Sequence, residues 1–171
     1  MSSGYAFRPA TAHDAERIVA ITVEGFESYR SFAPAGWTPP SASAEVERLV
    51  ALLGDEHVWY RVAEHDGDLV GHVGFLPADR LSFARVDDPG LAHFRQLFVT
   101  RGHWGTGLAR RLHAAAIDEA SARGFTGMRL FTPGGQRRAR RFYEREGWSL
   151  ARPPAFDERI GLEIAEYRRA L

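Results

Sequence analysis

A chain of 171 residues with 22 acidic and 22 basic side chains carries no net charge, so no global field draws it to nucleic acid or an anionic membrane. The complete lack of cysteine removes disulfides, thiol catalysis and cysteine-ligated zinc together. No run reaches the roughly 18 apolar residues of a membrane span, and the start MSSGYAFRPA has neither the basic flank nor the apolar stretch of a leader, so a cytoplasmic setting without a membrane partner is expected.

At this length one domain over residues 1–171 is expected, with a core that needs no staples. Tyr5 to Arg8 reads as a short strand stopped by Pro9. Thr11 is placed as the N-cap of a helix through Tyr29, in which Ile18, Val19, Thr22, Phe26 and Tyr29 recur at helical spacing. The proline-rich SFAPAGWTPP cannot continue that helix and leaves Trp37 exposed in a loop, before a second helix from about Ala42 to Leu53. HVWYRVAEHDGDLVGHVGFLP reads as a hairpin: Val58, Tyr60 and Val62 alternate, Asp66-Gly67 turns, and Leu69 to Leu76 returns. A polar connection from Pro77 to Pro89 leads to an apolar strand from His93 to Val99, a glycine-rich passage, and a helix from Gly105 to Arg123. A strand at Met128 to Phe131, a helix at Gln136 to Glu146, a strand at Trp148 to Leu150 and a closing strand from Ile160 to Tyr167 complete the chain. This order predicts an α/β fold, a mixed sheet covered by helices, whose ligands gather at strand ends and strand-to-helix turns.

The passage LFVTRGHWGTGLARRLHAAA places three glycines between the strand and the alanine-rich helix. A helix start exposes unpaired amides and partial positive charge, and glycine lets a phosphate approach them. The nucleoside-triphosphate loop is absent because no lysine is followed by Ser or Thr, and Arg110 breaks the dinucleotide fingerprint at its third glycine. From the glycines alone, an anion site and a tight turn with no ligand weigh equally.

Two motifs decide between them by resemblance. The run Val99-x-x-x-x-Trp104-Gly105-x-Gly107-x-Ala109-x-x-Leu112 resembles the acetyl-coenzyme A signature Q/R-x-x-G-x-G/A of the GCN5-related N-acetyltransferases (GNAT), with Trp104 at the Q/R position and Gly107 and Ala109 matching. Gln136-x-x-Ala139-x-x-Phe142-Tyr143-x-x-x-Gly147-Trp148 resembles that family's N-x-x-A-x-x-F-Y-x-x-x-G-F segment, with Gln136 in place of Asn. The resemblance spans almost the whole chain and implies a mixed, mostly antiparallel sheet flanked by helices, with splayed central strands. It implies acetyl-CoA as co-substrate, its pantetheine arm on the backbone of Leu97, Phe98 and Val99 and its pyrophosphate on the amides of Trp104, Gly105, Thr106, Gly107, Leu108 and Ala109. Gln136 and Tyr143 are placed beside it.

Amide formation from a thioester needs a neutral amine, a polarised carbonyl and a proton for the departing thiolate. The resemblance puts Tyr143 where relatives carry the phenol that protonates sulfur, and it offers the N–H of Phe98 or Val99 to the carbonyl oxygen. His93 stands where some relatives carry a glutamate base, and alternation puts His93, Arg95, Leu97 and Val99 on one strand face. Glu24 and Glu27 are rival groups that could bind or deprotonate the amine. The acceptor pocket is expected between the Phe32 to Pro40 loop, with Trp37, and an Arg152 to Asp157 loop. No histidine has metal-ligand spacing, so no metal is expected. Arg137, Arg138, Arg140 and Arg141 read as a mostly solvated face with at most one contact to the co-substrate, and not as a nucleic-acid patch. The expected reaction is direct acetyl transfer to a small-molecule or peptide primary amine. The alternative is an inactive acyl-CoA-binding or interaction module of the same fold. Relatives often pair, so a homodimer is allowed for.

Overall fold

The computed structural model describes residues 4–171. Its helices and strands follow one another as β1 (Ala6–Pro9), α1 (Ala15–Glu27), α2 (Ala42–Leu53), β2 (Trp59–His65), β3 (Asp68–Pro77), β4 (Leu91–Val99), α3 (Leu108–Ala122), β5 (Gly127–Pro133), α4 (Arg137–Arg145), β6 (Ser149–Asp157) and β7 (Leu162–Ala170). The strands make one sheet in the order β1-β2-β3-β4-β5-β7-β6. Every neighbouring pair is antiparallel except β4 with β5, which is parallel. This is the mixed α/β sheet covered by helices that the element order predicts, and the mostly antiparallel one that the resemblance implies.

The helix at the chain's start begins later than Thr11, and an ion pair explains the entry. Asp14 accepts from the Thr11 amide at 2.7 Å and is gripped by both terminal nitrogens of Arg8, each at 2.8 Å. These bonds hold Ala12–Asp14 in a 3₁₀ turn, and α1 starts at Ala15. After Glu27 the chain tightens again into a 3₁₀ turn over Ser28–Ser31.

Helices cover both faces. Ile18 and Ile21 of α1 and Leu49 of α2 bury against Tyr60, Val62 and Leu69 on one side. On the other, Leu108, Leu112 and Ala116 of α3 and Tyr143 of α4 bury against Phe75, Phe94, Met128, Leu130 and Tyr167. Fully burying a large apolar side chain is worth about 1.5–3 kcal/mol, so both layers contribute strongly to stability. On the α3/α4 side His113, 3% exposed, accepts from Trp148 Nε1 at 2.8 Å, which assigns its ring proton to Nδ1.

β4 departs from strict alternation. Phe75 pairs with Phe94 but Gly74 pairs with Gln96, so Arg95 is an extra residue on β4, a β-bulge. Ala92 and Phe94 face the α3/α4 core, and after the bulge Leu97 and Val99 do so while Phe98 packs on the α1/α2 side. The expectation that His93, Arg95, Leu97 and Val99 share one face is therefore corrected: His93 and Arg95 project towards α1 and α2, and Leu97 and Val99 away from them.

The β4–β5 pairing is short. It consists of Leu91 with Gly127, Ala92 with Met128 and His93 with Arg129. Beyond it β5 continues alongside β7 as far as Pro133, and from Phe94 onward the two central strands diverge.

At the C-terminal edge, the segment expected as an Arg152 to Asp157 loop is instead part of β6. Pro153 and Pro154 are tolerated because β6 is the last strand of the sheet, where missing donors face outward, and the register shifts around Arg152 mark the adjustment. Ile160 lies in the turn before β7 rather than in that strand.

Candidate active site

The divergence of β4 from β5 leaves a gap in the middle of the sheet, and the end of α1 lies across it. A Cβ at Gly25 would collide with the Phe98 ring, so the absence of a side chain is what lets α1 rest on β4 after the bulge. One turn on, Ser28 Oγ receives a 3.1 Å hydrogen bond from Gln136 Nε2 at the start of α4. Tyr29 then approaches Tyr143 of α4: burial pushes both phenols well above their ordinary range, and Tyr29 adds to the rise at Tyr143. Tyr143 is 8% exposed, packed edge-on against Phe94 and Trp148 at 6.1 and 5.9 Å between ring centres. A phenol raised in this way keeps its proton throughout the neutral range.

Beside the gap, the passage from β4 into α3 is shaped by backbone geometry. Gly105 and Gly107 have φ of 78° and 84°, the left-handed region that glycine enters without strain. The first helical bond runs from Arg111 N to Gly107 O at 3.1 Å, and Leu108 N points at Thr106 Oγ1 at 3.4 Å. The amides of Ala109 and Arg110 therefore have no acceptor in the preceding backbone and face outward at the positive end of α3. The helix starts at Leu108 rather than Gly105 because these glycines spend the intervening residues on the turn. Tyr5 braces it from outside, 2.9 Å from His103 Nδ1 and 3.0 Å from Thr106 Oγ1.

Trp104 is 39% exposed. Its Nε1 donates to the Val99 carbonyl at 2.8 Å, and Arg138 of α4 lies over its ring at 4.1 Å. The indole thus joins the end of β4 to the first turn of α4. Of the neighbouring arginines, Arg140 is engaged by Tyr167 at 2.9 Å and by the Gly134 carbonyl at 3.0 Å.

The remaining residues singled out from sequence lie on the α1/α2 side. His93 is 4% exposed and sits 5.1 Å from the Phe131 ring, its Nδ1 without a partner. Burial first, then Arg129, Arg95 and Arg159, lower its pKa to about 3, so the ring is neutral in the physiological range. Glu24 is exposed on α1 and reaches the Arg101 amide only at 3.5 Å. Glu27 is held by Arg30 at 2.6 Å. Trp37 is not exposed as expected but half-buried, because its Nε1 donates to the Ile160 carbonyl at 2.9 Å and ties the loop to the turn before β7.

An aromatic wall went unread in the sequence. Phe98, Phe26, Tyr29 and Phe32 form a chain of ring contacts, with centres 5.6, 5.4 and 5.5 Å apart in turn. The wall leads to a pocket of about 190 Å³ lined by Phe32, Pro34, Gly135, Phe156, Leu162 and Glu163. The three-residue spacing of Phe26, Tyr29 and Phe32 was its signal, but such spacing reads first as a helix face turned to the core. Among the described residues no group of three or more His, Asp or Glu is placed to hold a metal ion, and no helix is long and apolar enough to cross a membrane.

A gap between parallel central strands, a glycine turn presenting helix-start amides and a buried phenol beside them agree with a family comparison. Residues 22–148 match the profile described as "Acetyltransferase (GNAT) family", and the chain belongs to that family. It is similar to "Probable N-acetyltransferase camello" of Xenopus tropicalis, 32% identical over 122 residues that make up 69% of this chain, and spans about half (52%) of that protein. Among solved structures, PaiA N-acetyltransferase from Thermoplasma acidophilum in complex with coenzyme A superposes with a TM-score of 0.76 at 12% identity, covering 98% of this chain and 99% of that one. An acetyltransferase of the GNAT family from Staphylococcus aureus Mu50 gives a TM-score of 0.76 at 14% identity, with coverage of 98% and 99%. At these identities the two structures speak for the fold alone.

Proposed function

We propose that this chain is an acetyl-CoA-dependent N-acetyltransferase that passes the acetyl group directly to a primary amine. The observation that carries this reading is Tyr143, kept protonated by burial beside the β4–β5 gap. Family membership supports it, as does the coenzyme A bound by one protein of the same fold.

Acetyl-CoA supplies a thioester: its C–S bond breaks, a C–N bond forms, the amine loses a proton and sulfur gains one. The turn from Trp104 to Ala109 receives the pyrophosphate: the Trp104 amide is already bonded to the Arg101 carbonyl at 3.1 Å, but unpaired N–H groups at the helix start, that of Ala109 among them, favour an anion. Leu97 and Val99 offer the pantetheine arm backbone groups that β5 no longer pairs, while those of Phe98, between them, turn to β3, the side on which Thr100 N–H donates to the Val70 carbonyl at 2.9 Å. The Val99 carbonyl already accepts from Trp104 Nε1, which leaves it one lone pair. Of the two candidate donors, the N–H of Val99 faces the gap and polarises the carbonyl oxygen, whereas that of Phe98 is turned to β3; such a preplaced donor is worth about 2.7–4 kcal/mol in acyl transfer.

Tyr143 gives its proton to the departing sulfur and recovers one from solvent. His93, neutral with a pKa near 3, holds a proton too weakly to serve as the base, so the amine's proton passes to water in the gap. Glu24 and Glu27 border the entrance on α1, Trp37 and the aromatic wall receive the apolar part of the acceptor, and Gln136 fixes the end of α1 over the reacting groups. The acceptor is a small-molecule or peptide amine.

Calorimetry with acetyl-CoA, followed by thiol release across a panel of primary amines, tests the reading. Saturable binding and amine-dependent release of coenzyme A are expected. Binding without release from any amine would favour an acyl-CoA-binding module, and the absence of binding would remove the proposal altogether.

A further inference from the structure

Resting on the acetyltransferase reading above, we propose that Arg129 and His93 form a carboxylate-binding subsite, and that the acceptor is a primary amine bearing a carboxylate. Arg129 lies on β5 directly opposite His93, in the last pair before the central strands part. Met128 and Leu130 point into the α3/α4 core, so Arg129 projects to the acceptor side, as His93 does. The Phe131 ring stands over both, 5.1 Å from the His93 ring and 4.8 Å from the Arg129 guanidinium carbon.

The two side chains are buried with polar atoms unmatched. Arg129 is 2% exposed, and its Nε and Nη2 have no hydrogen-bond partner; His93 Nδ1, in a side chain 4% exposed, has none either. Burial is the largest cause in lowering the proton affinity of the guanidinium; Glu166 opposes it, and Arg168 and Arg152 lower it further. The neighbouring acids make their short contacts with other arginines. Glu166, 7% exposed on β7, accepts from Arg168 Nε at 2.8 Å and lies 3.5 Å from Arg152 Nε. Glu45 lies 3.7 Å from Arg95, and Asp157 is 3.0 Å from Arg159. Around Arg129 this face therefore has a surplus of positive charge.

A buried cation whose donors lack hydrogen-bond partners is among the costliest features a fold can keep. The geometry shows what would relieve it. Nε and Nη2 are the two donors along one edge of the guanidinium fork, the edge that meets both oxygens of a carboxylate in parallel. A neutral His93 with its proton on Nδ1 supplies a third donor, and a planar anion satisfies all three. The role also explains why a histidine too weakly basic for proton removal sits at the parting of the strands.

The test uses straight-chain ω-amino acids of increasing length, each beside its own carboxamide, so that the spacing of amine and carboxylate is scanned. At the best spacing the carboxylate should be preferred by roughly 10- to 100-fold in kcat/KM, the range expected for hydrogen bonds to charged groups. Arg129→Met, which keeps the volume and removes the charge, should bring that ratio close to one. The same amino acids should raise the melting temperature of the wild type and not of the variant, a readout that needs no turnover. Failure of acetyl-CoA to bind would defeat the acetyltransferase reading itself. Acetylation of both series at equal rates, acetylation of other amines but none of these, or a preference that survives Arg129→Met would each overturn the subsite alone.

Discussion

Gln136 Nε2 donates to Ser28 Oγ at 3.1 Å, and Ser28 Oγ in turn donates to the Gly25 carbonyl at 2.6 Å, so the start of α4 and the end of α1 are tied across the central gap. Gln136→Ala removes the outer bond while Ser28 keeps the inner one. A hydrogen bond of this kind is worth about 0.5–1.5 kcal/mol net, and each kcal/mol shifts the melting temperature of a protein this size by about 2–4 °C. A drop of a few degrees in a thermal melt is expected, with a raised KM for the amine as α1 loosens. An unchanged KM would show that the tie has no part in acceptor binding.

Gly107 is held at φ 84°, and nothing lies within 4 Å of the position a Cβ would take, so a side chain there is opposed by backbone conformation and not by crowding. Gly107→Ala should cost about 1–2 kcal/mol, the penalty for an L-residue in the left-handed region. Gly67, at φ 87° in the β2–β3 turn and equally open, is the matched control. Calorimetry should show acetyl-CoA affinity reduced in Gly107→Ala and unchanged in Gly67→Ala; equal affinities would move the pyrophosphate elsewhere.

Three buried histidines make the fold sensitive to acid. Burial is the largest cause in lowering His72 and His93 to about 3 and His113 to about 4. Their folded values lie below the unfolded one, so the unfolded chain binds more protons and stability is lost as pH falls from about 6.5 towards 4, by up to about 1.4 kcal/mol per unit for each ring. Urea unfolding should give a clearly lower midpoint at pH 5 than at pH 7. A midpoint that stays level across that interval would mean the rings can be protonated in place.

How far the sequence reveals this molecule depends on the range of the interaction. The turn at Gly105 and Gly107, the hairpin at Asp66-Gly67 and the amphipathic face of α1 are legible because each follows from residues close in the chain. The bulge at Arg95 is not, since it exists only in the pairing of β4 with β3, and it reverses the side to which Leu97 and Val99 point relative to His93. Strand β6 hides behind Pro153 and Pro154, which argue against a strand until its place at the sheet edge is known. The candidate site follows the same division. Tyr143 and the glycine turn show through local motifs, whereas the low basicity of His93 and the unpaired state of Arg129 arise from burial by elements distant in sequence.

Tyr143→Phe, assayed for amine-dependent release of coenzyme A at saturating acetyl-CoA, with acetyl-CoA affinity measured on the same samples, tests the proposed chemistry most directly. The substitution keeps the ring that packs on Phe94 and Trp148 and removes only the proton-bearing hydroxyl. General acid catalysis contributes about 10²–10⁴-fold, so direct transfer with Tyr143 as the acid predicts a fall in kcat of that size with affinity almost unchanged. A variant that releases coenzyme A at the wild-type rate would contradict it and leave Tyr143 as a packing residue of the α3/α4 core.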